Sequence, residues 1–333
     1  MPDMPMWRAL NDGLASAMRD DERVFVMGED ISHWATGGGI FGVTRGLLKE
    51  FGARRVRETP ISEEAIIAAG VGAAMTGSRP VVEIMYSDFM LLGLDPIVNQ
   101  AAKARYMFGG QFDVPLVVRS NGGAASGKGA QHSQSLETIF AHVPGLEVVL
   151  PAFPHDARAL IRSAIASPNP TILLEHKALY THRGPVEEEA VPLGRARIVR
   201  EGRDVTVVAT QLMVHRALEA ADRLAEAGVE VEVIDLRCLW PLDLETVAES
   251  VRRTRLALVC HEAPETFGFG GELVAQLTDQ LWDDLGAPVA RLGGARTPIP
   301  YAADLEDAVV PSASSIEAAL GALLDDVRAG ARS

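Results

Sequence analysis

Cysteine is nearly missing from this 333-residue chain: Cys238 and Cys260 are the only two, and both lie in apolar runs without C-x-x-C spacing. That excludes a disulfide framework and a cysteine-built zinc site, and it places both thiols in the expected core. Basic residues are in deficit, with 31 Lys and Arg against 45 Asp and Glu for a net charge of -14. Nucleic acid and anionic membranes demand a basic surface, so neither is an expected partner; a small molecule or another protein is. No apolar run approaches the ~20 residues of a membrane span. The opening Met1-Pro2-Asp3-Met4-Pro5 lacks the basic start and apolar core of a signal peptide, so a cytoplasmic location is expected. There is no G-x-S-x-G elbow and no H-E-x-x-H, which removes the commonest hydrolase and metalloprotease signatures. Aromatic residues reach only 5%, but 47% hydrophobic residues suffice for a globular protein with room for two domains.

Two glycine-rich stretches approach nucleotide-binding signatures and stop short. Gly122 to Gly129 keeps phosphate-loop spacing through Lys128, but Gly129 stands where a magnesium-binding Ser or Thr belongs. Gly268-Phe269-Gly270-Gly271 lacks the third glycine of a dinucleotide fingerprint and is expected as a loop that opens a helix.

What the chain does have is alternation: short β-branched runs separated by longer Ala/Leu-rich stretches, the pattern of parallel sheets covered by helices, hence an α/β fold. Expected strands in the first half are 24–27, 80–84, 115–119, 146–150 and 171–175, with helices over 95–106 and 156–166. Their near-continuous apolar character is that of buried parallel strands. The periodicity breaks around Arg183-Gly184-Pro185, three consecutive glutamates and Pro192, then restarts at Asp204. The expected organisation is an α/β domain over 1–185, a linker over 186–203 and a second, smaller α/β domain over 204–333.

Within this pattern, Arg57-Glu58-Thr59-Pro60-Ile61-Ser62-Glu63-Glu64 puts a carboxylate at the opening of a helix of small residues running to Met75. Acidic side chains are favoured at a helix N-terminus by its free N–H groups and dipole, so Glu63 reads either as a cap or as an acid that activates a cofactor. Small residues on nearly every face make the helix an expected buried one. His132 follows a glycine-rich loop after a predicted strand, where open α/β sheets bind ligands; it is a site candidate or a structural histidine.

Taken in order, a further set of motifs resembles the beta subunit of the thiamine-diphosphate-dependent 2-oxo acid dehydrogenases, the family of the pyruvate, branched-chain and acetoin complexes. They include Met27-Gly28-Glu29-Asp30, Gly38-Gly39-Ile40-Phe41, Thr59-Pro60-Ile61-Ser62-Glu63, Arg79-Pro80-Val81-Val82-Glu83 and Asp88-Phe89. Gln131-His132-Ser133-Gln134, His142-Val143-Pro144-Gly145, Ile234-Asp235-Leu236-Arg237 and Pro241-Leu242-Asp243 continue the match. Each is weak alone, but together they are collinear from Ala9 to about Leu320.

The resemblance implies an N-terminal pyrimidine-binding parallel-sheet domain and a C-terminal transketolase-like α/β domain. It implies that Glu63 bonds the N1' nitrogen of the cofactor's aminopyrimidine and drives the proton shuttling that exposes the thiazolium carbanion. It further implies that Phe89 stacks on the aminopyrimidine, that Glu29 lies beside Glu63, and that His132 exchanges a proton with the intermediate or the lipoyl group. A monovalent cation, potassium, is implied on backbone carbonyls of the stretch that includes Leu116, Ala164, Ile165 and Asn169, although Ser167 replaces an acidic residue often found there.

No G-D-G motif, the usual magnesium and diphosphate anchor of thiamine enzymes, occurs in the chain. The resemblance therefore implies an alpha subunit that holds diphosphate and Mg2+, an α2β2 heterotetramer, and a lipoyl-bearing acyltransferase that receives the acyl group from a 2-oxo acid. The small-residue helix after Glu63 suits a tight subunit contact. Two other expectations stand beside this one: a transketolase or acyloin-type transferase without lipoyl chemistry, with the loop Ser32 to Thr36 as a mark of specialised substrate, and a noncatalytic assembly subunit. Arg105 to Gly110 and Glu175-His176-Lys177 resemble pyruvate and acetoin members, while His261-Glu262-Ala263-Pro264 resembles branched-chain ones, so the substrate stays open.

Overall fold

Six short strands of the first half, most of them buried apolar runs, assemble with flanking helices into one parallel sheet, as buried β-branched segments connected by helical crossovers do. A computed structural model describes residues 2–32, 38–124 and 127–330, with the side chains of 328–330 left aside. The chain divides into two compact units: residues 1–123, 136–193 and 239–241 form the first, and 124–135, 194–238 and 242–333 the second.

The seven strands of the first unit's sheet run in the order Cys238–Trp240, Glu147–Val149, Thr171–His176, Val117–Gly122, Arg79–Ile84, Val24–Gly28 and Val56–Glu58. The last six pair in parallel. Helix Met6–Asp20 lies against helix Pro154–Ala166. Gly13 permits the approach, since a Cβ there would come 2.6 Å from the Arg158 carbonyl oxygen. The expected helix over 95–106 begins with a wide π turn at Pro96–Ala101 and continues as Ala102–Met107.

Helix Glu63–Met75 is covered on one side only. Ile66, Ile67, Gly70, Val71 and Ala74 are buried, whereas Ala65, Ala68, Ala69 and Gly72 are exposed along the opposite face. Within this chain, the helix expected to be buried is buried along this one face. Ala and Gly side chains are too small to mark one face as apolar, so the sequence carries no amphipathic contrast that locates the covered side. Gly70 lets the helix sit on the sheet, a Cβ there being 2.8 Å from Val82 Cγ1.

In the second unit the strands run Ala290–Gly294, Ala257–Pro264, Val205–Ala209, Val231–Asp235 and Arg197–Arg200. The first four are parallel and the last is antiparallel. Arg197–Arg200 falls inside the stretch expected as a linker; its charged ends conceal an edge strand, where only one side needs a partner. Residues 303–327 are long and apolar enough by composition to cross a membrane. They are divided between helices Ala303–Val309 and Ala313–Gly330, and Ile316 and Leu320 of the second are fully buried in this unit. Cys238 and Cys260 are both buried, and burial pushes the Cys260 thiol up to about 12.

Candidate active site

Three adjacent parallel strands of the first sheet, Val56–Glu58, Val24–Gly28 and Arg79–Ile84, end on the same edge. Carboxyl ends of parallel strands are where open α/β sheets bind ligands. Glu29 follows the middle strand directly, Glu63 opens the helix after the outer one, and Phe89 sits in the 3₁₀ segment Ser87–Gly93 beyond the third. The three residues that the sequence nominated separately are thus delivered to one edge. Thr59 N–H donates to the Gly28 carbonyl at 3.0 Å and ties two of the strand ends together. Gly93 packs closely on the helix, where a Cβ would lie 2.3 Å from Ile67 Cδ1.

Ser62 is the residue before the helix but makes no side-chain cap; its hydroxyl donates back to the Pro60 carbonyl at 3.0 Å. Among the described residues the Glu63 carboxylate forms no hydrogen bond or ion pair. Burial, followed by the negative charge of Glu63, Asp30, Glu83 and Glu58, holds the Glu29 carboxyl above the ordinary carboxylate range. Among the described residues, Glu29 Oε2 and Thr59 Oγ1 are buried without any hydrogen-bond partner. Orphaned polar atoms of this kind are rare in native structures and suit a bound group with complementary donors and acceptors, such as an aminopyrimidine. Phe89 is half-buried, edge-on to Tyr86 with ring centroids 6.3 Å apart.

One element of this edge was not singled out from the sequence. Arg119, fully buried on strand Val117–Gly122, donates to both oxygens of Glu175 at 2.8 and 2.6 Å and also to Glu83 on the neighbouring strand. Tyr180 donates to Glu175, and Phe41 stacks on Tyr180 at 4.7 Å. Burial opposes the charge on Arg119, but Glu175 and Glu83 more than offset it and hold the guanidinium well above its usual range. Glu83 is pushed up, by burial first, with Arg119 pulling the other way. The signal was present: a charged residue inside an apolar strand needs partners, and Glu83 and Glu175 are the acids of the two flanking strands.

His132 belongs to the second unit. It is half-buried in the segment 124–135. Of the loop noted for its length, residues 33–36 lie outside the described residues, as do 125 and 126 of the glycine-rich stretch.

Of the carbonyls expected to hold a monovalent cation, those of Leu116, Ala164 and Ile165 accept from donors of this chain. Thr171 N–H bonds the Leu116 carbonyl at 2.8 Å and Ser167 N–H reaches that of Ala164 at 3.2 Å. Arg79 Nη1 donates to the Ile165 carbonyl at 2.6 Å and the Ser167 carbonyl at 3.2 Å. Asn169 turns its side chain to Glu147 and Arg105. A potassium ion on the Ile165 carbonyl would share that oxygen with a guanidinium of the same charge. The Arg79 guanidinium is the cationic group that stands on the Ile165 carbonyl.

Residues 3–183 match the transketolase pyrimidine-binding domain, and 194–316 match the transketolase C-terminal domain. Over 320 residues the chain is 44% identical to the acetoin:2,6-dichlorophenolindophenol oxidoreductase subunit beta of Cupriavidus necator, covering 93% of this chain and 94% of that one. It is 42% identical over 326 residues to the pyruvate dehydrogenase E1 component subunit beta of Rhizobium meliloti, covering 97% and 70%. A split-gene transketolase solved as an inactive beta4 tetramer shares the fold with a TM-score of 0.78 at 21% identity, covering 97% and 98%. Two domain matches that together span most of the chain, with relatives this similar over nearly its whole length, show that it belongs to the family of E1-component beta subunits of the 2-oxo acid dehydrogenases.

Proposed function

We propose that this chain is the pyrimidine-binding half of a thiamine-diphosphate-dependent dehydrogenase which, with an alpha subunit, decarboxylates a 2-oxo acid and hands the acyl group to a lipoyl carrier. The observation that carries the proposal is the pairing of a Glu63 carboxylate with no partner among the described residues and a Glu29 carboxyl whose buried Oε2 has none. When bound, thiamine diphosphate supplies a carbon nucleophile and an electron sink. Glu63 holds a proton at the N1' nitrogen of the aminopyrimidine, and Phe89 offers that ring an aromatic face. Glu29 keeps its own proton more readily than an ordinary carboxyl, so it can sit beside Glu63 as a donor instead of a second anion. His132 exchanges a proton at the substrate oxygen or with the lipoyl group.

Among the described residues no three His, Cys, Asp or Glu side chains form a metal-binding group. In this proposal the alpha subunit holds magnesium and the diphosphate, and its seat on this chain includes the exposed face of Ala65, Ala68, Ala69 and Gly72. Small side chains let two backbones approach closely and suit an α2β2 assembly.

The test is product formation by the co-expressed alpha and beta chains with cofactor and magnesium, using pyruvate, branched-chain 2-oxo acids and acetoin, beside a Glu63→Gln control. Carbon dioxide release, or acetoin cleavage, that drops on the order of 100-fold or more in the control supports the assignment. Full activity of Glu63→Gln removes it, and two-carbon transfer without lipoyl acylation moves the transferase reading ahead.

A further inference from the structure

The motif His261-Glu262-Ala263-Pro264 has no part in the function above, yet it ends the strand Ala257–Pro264 of the second sheet and meets the segment that carries His132. Glu262 Oε1 accepts from Ala124 N–H at 2.5 Å and from Ser135 Oγ at 3.1 Å, so one oxygen grips both ends of 124–135. Glu306 Oε2 accepts from Gly127 N–H at 3.0 Å. Gly127 and Gly129 are both left-handed, at φ +60° and +73°, and face Tyr301. The Gly129 carbonyl then accepts from His132 N–H at 3.3 Å and fixes the turn on which the histidine stands. Behind Glu262 the strand end is itself wedged. His261 is fully buried with Nδ1 on the Ala263 carbonyl at 2.9 Å, and Gly268 lies so close that a Cβ would come 2.2 Å from His261 Cε1.

We propose that Glu262 is the positioning residue of His132, assisted by Glu306: the two carboxylates clamp the ends and the glycine turn of 124–135 and so set where the imidazole stands. Charge-assisted bonds to backbone N–H groups are the stronger kind, and a catalytic proton donor tolerates little displacement. Glu262 and Glu306 are both buried, which protects the clamp from water. The proposal rests on the role given to His132.

The experiment uses the assembled alpha-beta complex with Glu262→Ala, Glu262→Gln, Ser135→Ala and a His132→Ala control. Hydrogen exchange of peptides covering 124–135 is followed beside kcat and KM. Glu262→Ala should speed exchange in that segment about 10-fold or more and lower kcat about 10- to 100-fold with KM nearly unchanged. Ser135→Ala, which removes the Oγ bond and leaves the one from Ala124 N–H, should fall between. Glu262→Gln keeps an accepting oxygen and should restore both readouts, which a loss of packing alone does not predict. Unchanged exchange and kcat in Glu262→Ala overturn the clamp, and so does a Gln variant as impaired as the Ala one. If His132→Ala turns over normally, the catalytic role of His132 fails, while the exchange data still decide whether Glu262 holds the segment.

Discussion

Replacing Arg119 by Met isolates the cost of the buried ion cluster, because the two side chains are similar in length and the site is closed to water. The change leaves Glu83 and Glu175, both buried, facing each other with no countercharge. Breaking a buried pair in this way costs about 3–5 kcal/mol. For a unit of this size each kcal/mol moves the midpoint about 2–4 °C, so the first unit should melt about 6–20 °C lower. The pH dependence follows from the direction of the Glu83 shift. Its carboxyl titrates above the ordinary range, so its contribution to stability is full below that range and is lost as pH rises through the raised value. Without Arg119 that upward shift grows. The deficit of Arg119→Met should therefore be greatest near about pH 8 and shrink toward about pH 5 as the carboxylates take up protons. Calorimetry of wild type and variant across that range is the assay. A variant that melts with wild type at the alkaline end, or whose deficit widens on acidification, would falsify the account of the cluster.

The same logic applies where Arg79 stands on the carbonyls of Ile165 and Ser167. Exchanging potassium for tetramethylammonium should leave the wild-type midpoint unchanged, whereas Arg79→Gln should lose about 1–3 kcal/mol in thermal melts; a potassium-dependent rise in wild type would show that these oxygens take the ion. On the exposed helix face, Gly72→Ala should be neutral or gain about 0.5–1 kcal/mol, since a Cβ there meets nothing within 4 Å. Ala69→Leu should leave the isolated chain folded but prevent co-sedimentation with the alpha subunit, and normal assembly of that variant would move the contact elsewhere.

Which features could be read in advance depends on what kind of side chain reports them. Buried parallel strands such as 79–84 and 205–209 are announced by continuous apolar runs, and Glu29, Glu63 and Phe89 fall within motifs next to those runs. Arg197–Arg200 was hidden because an edge strand carries little apolar signal. The covered side of helix Glu63–Met75 was hidden because Ala and Gly look alike on both faces. Arg119 was legible in kind but not in partners: a buried guanidinium demands acids, and only strand register decides that Glu83 and Glu175 supply them. The clamp on 124–135 joins residues more than 120 positions apart in sequence, as from Ser135 to Glu262, beyond the reach of any local pattern.

The interleaving of the two units along the chain bears on how this polypeptide can be divided. A cut anywhere between 186 and 203 severs the chain once, yet the first unit draws residues 239–241 from the far side of that cut and the second draws 124–135 from the near side. An expressed first half lacks an edge strand of its sheet, and an expressed second half lacks the segment bearing His132. A permuted chain order, unlike a truncation, would keep each unit's residues together.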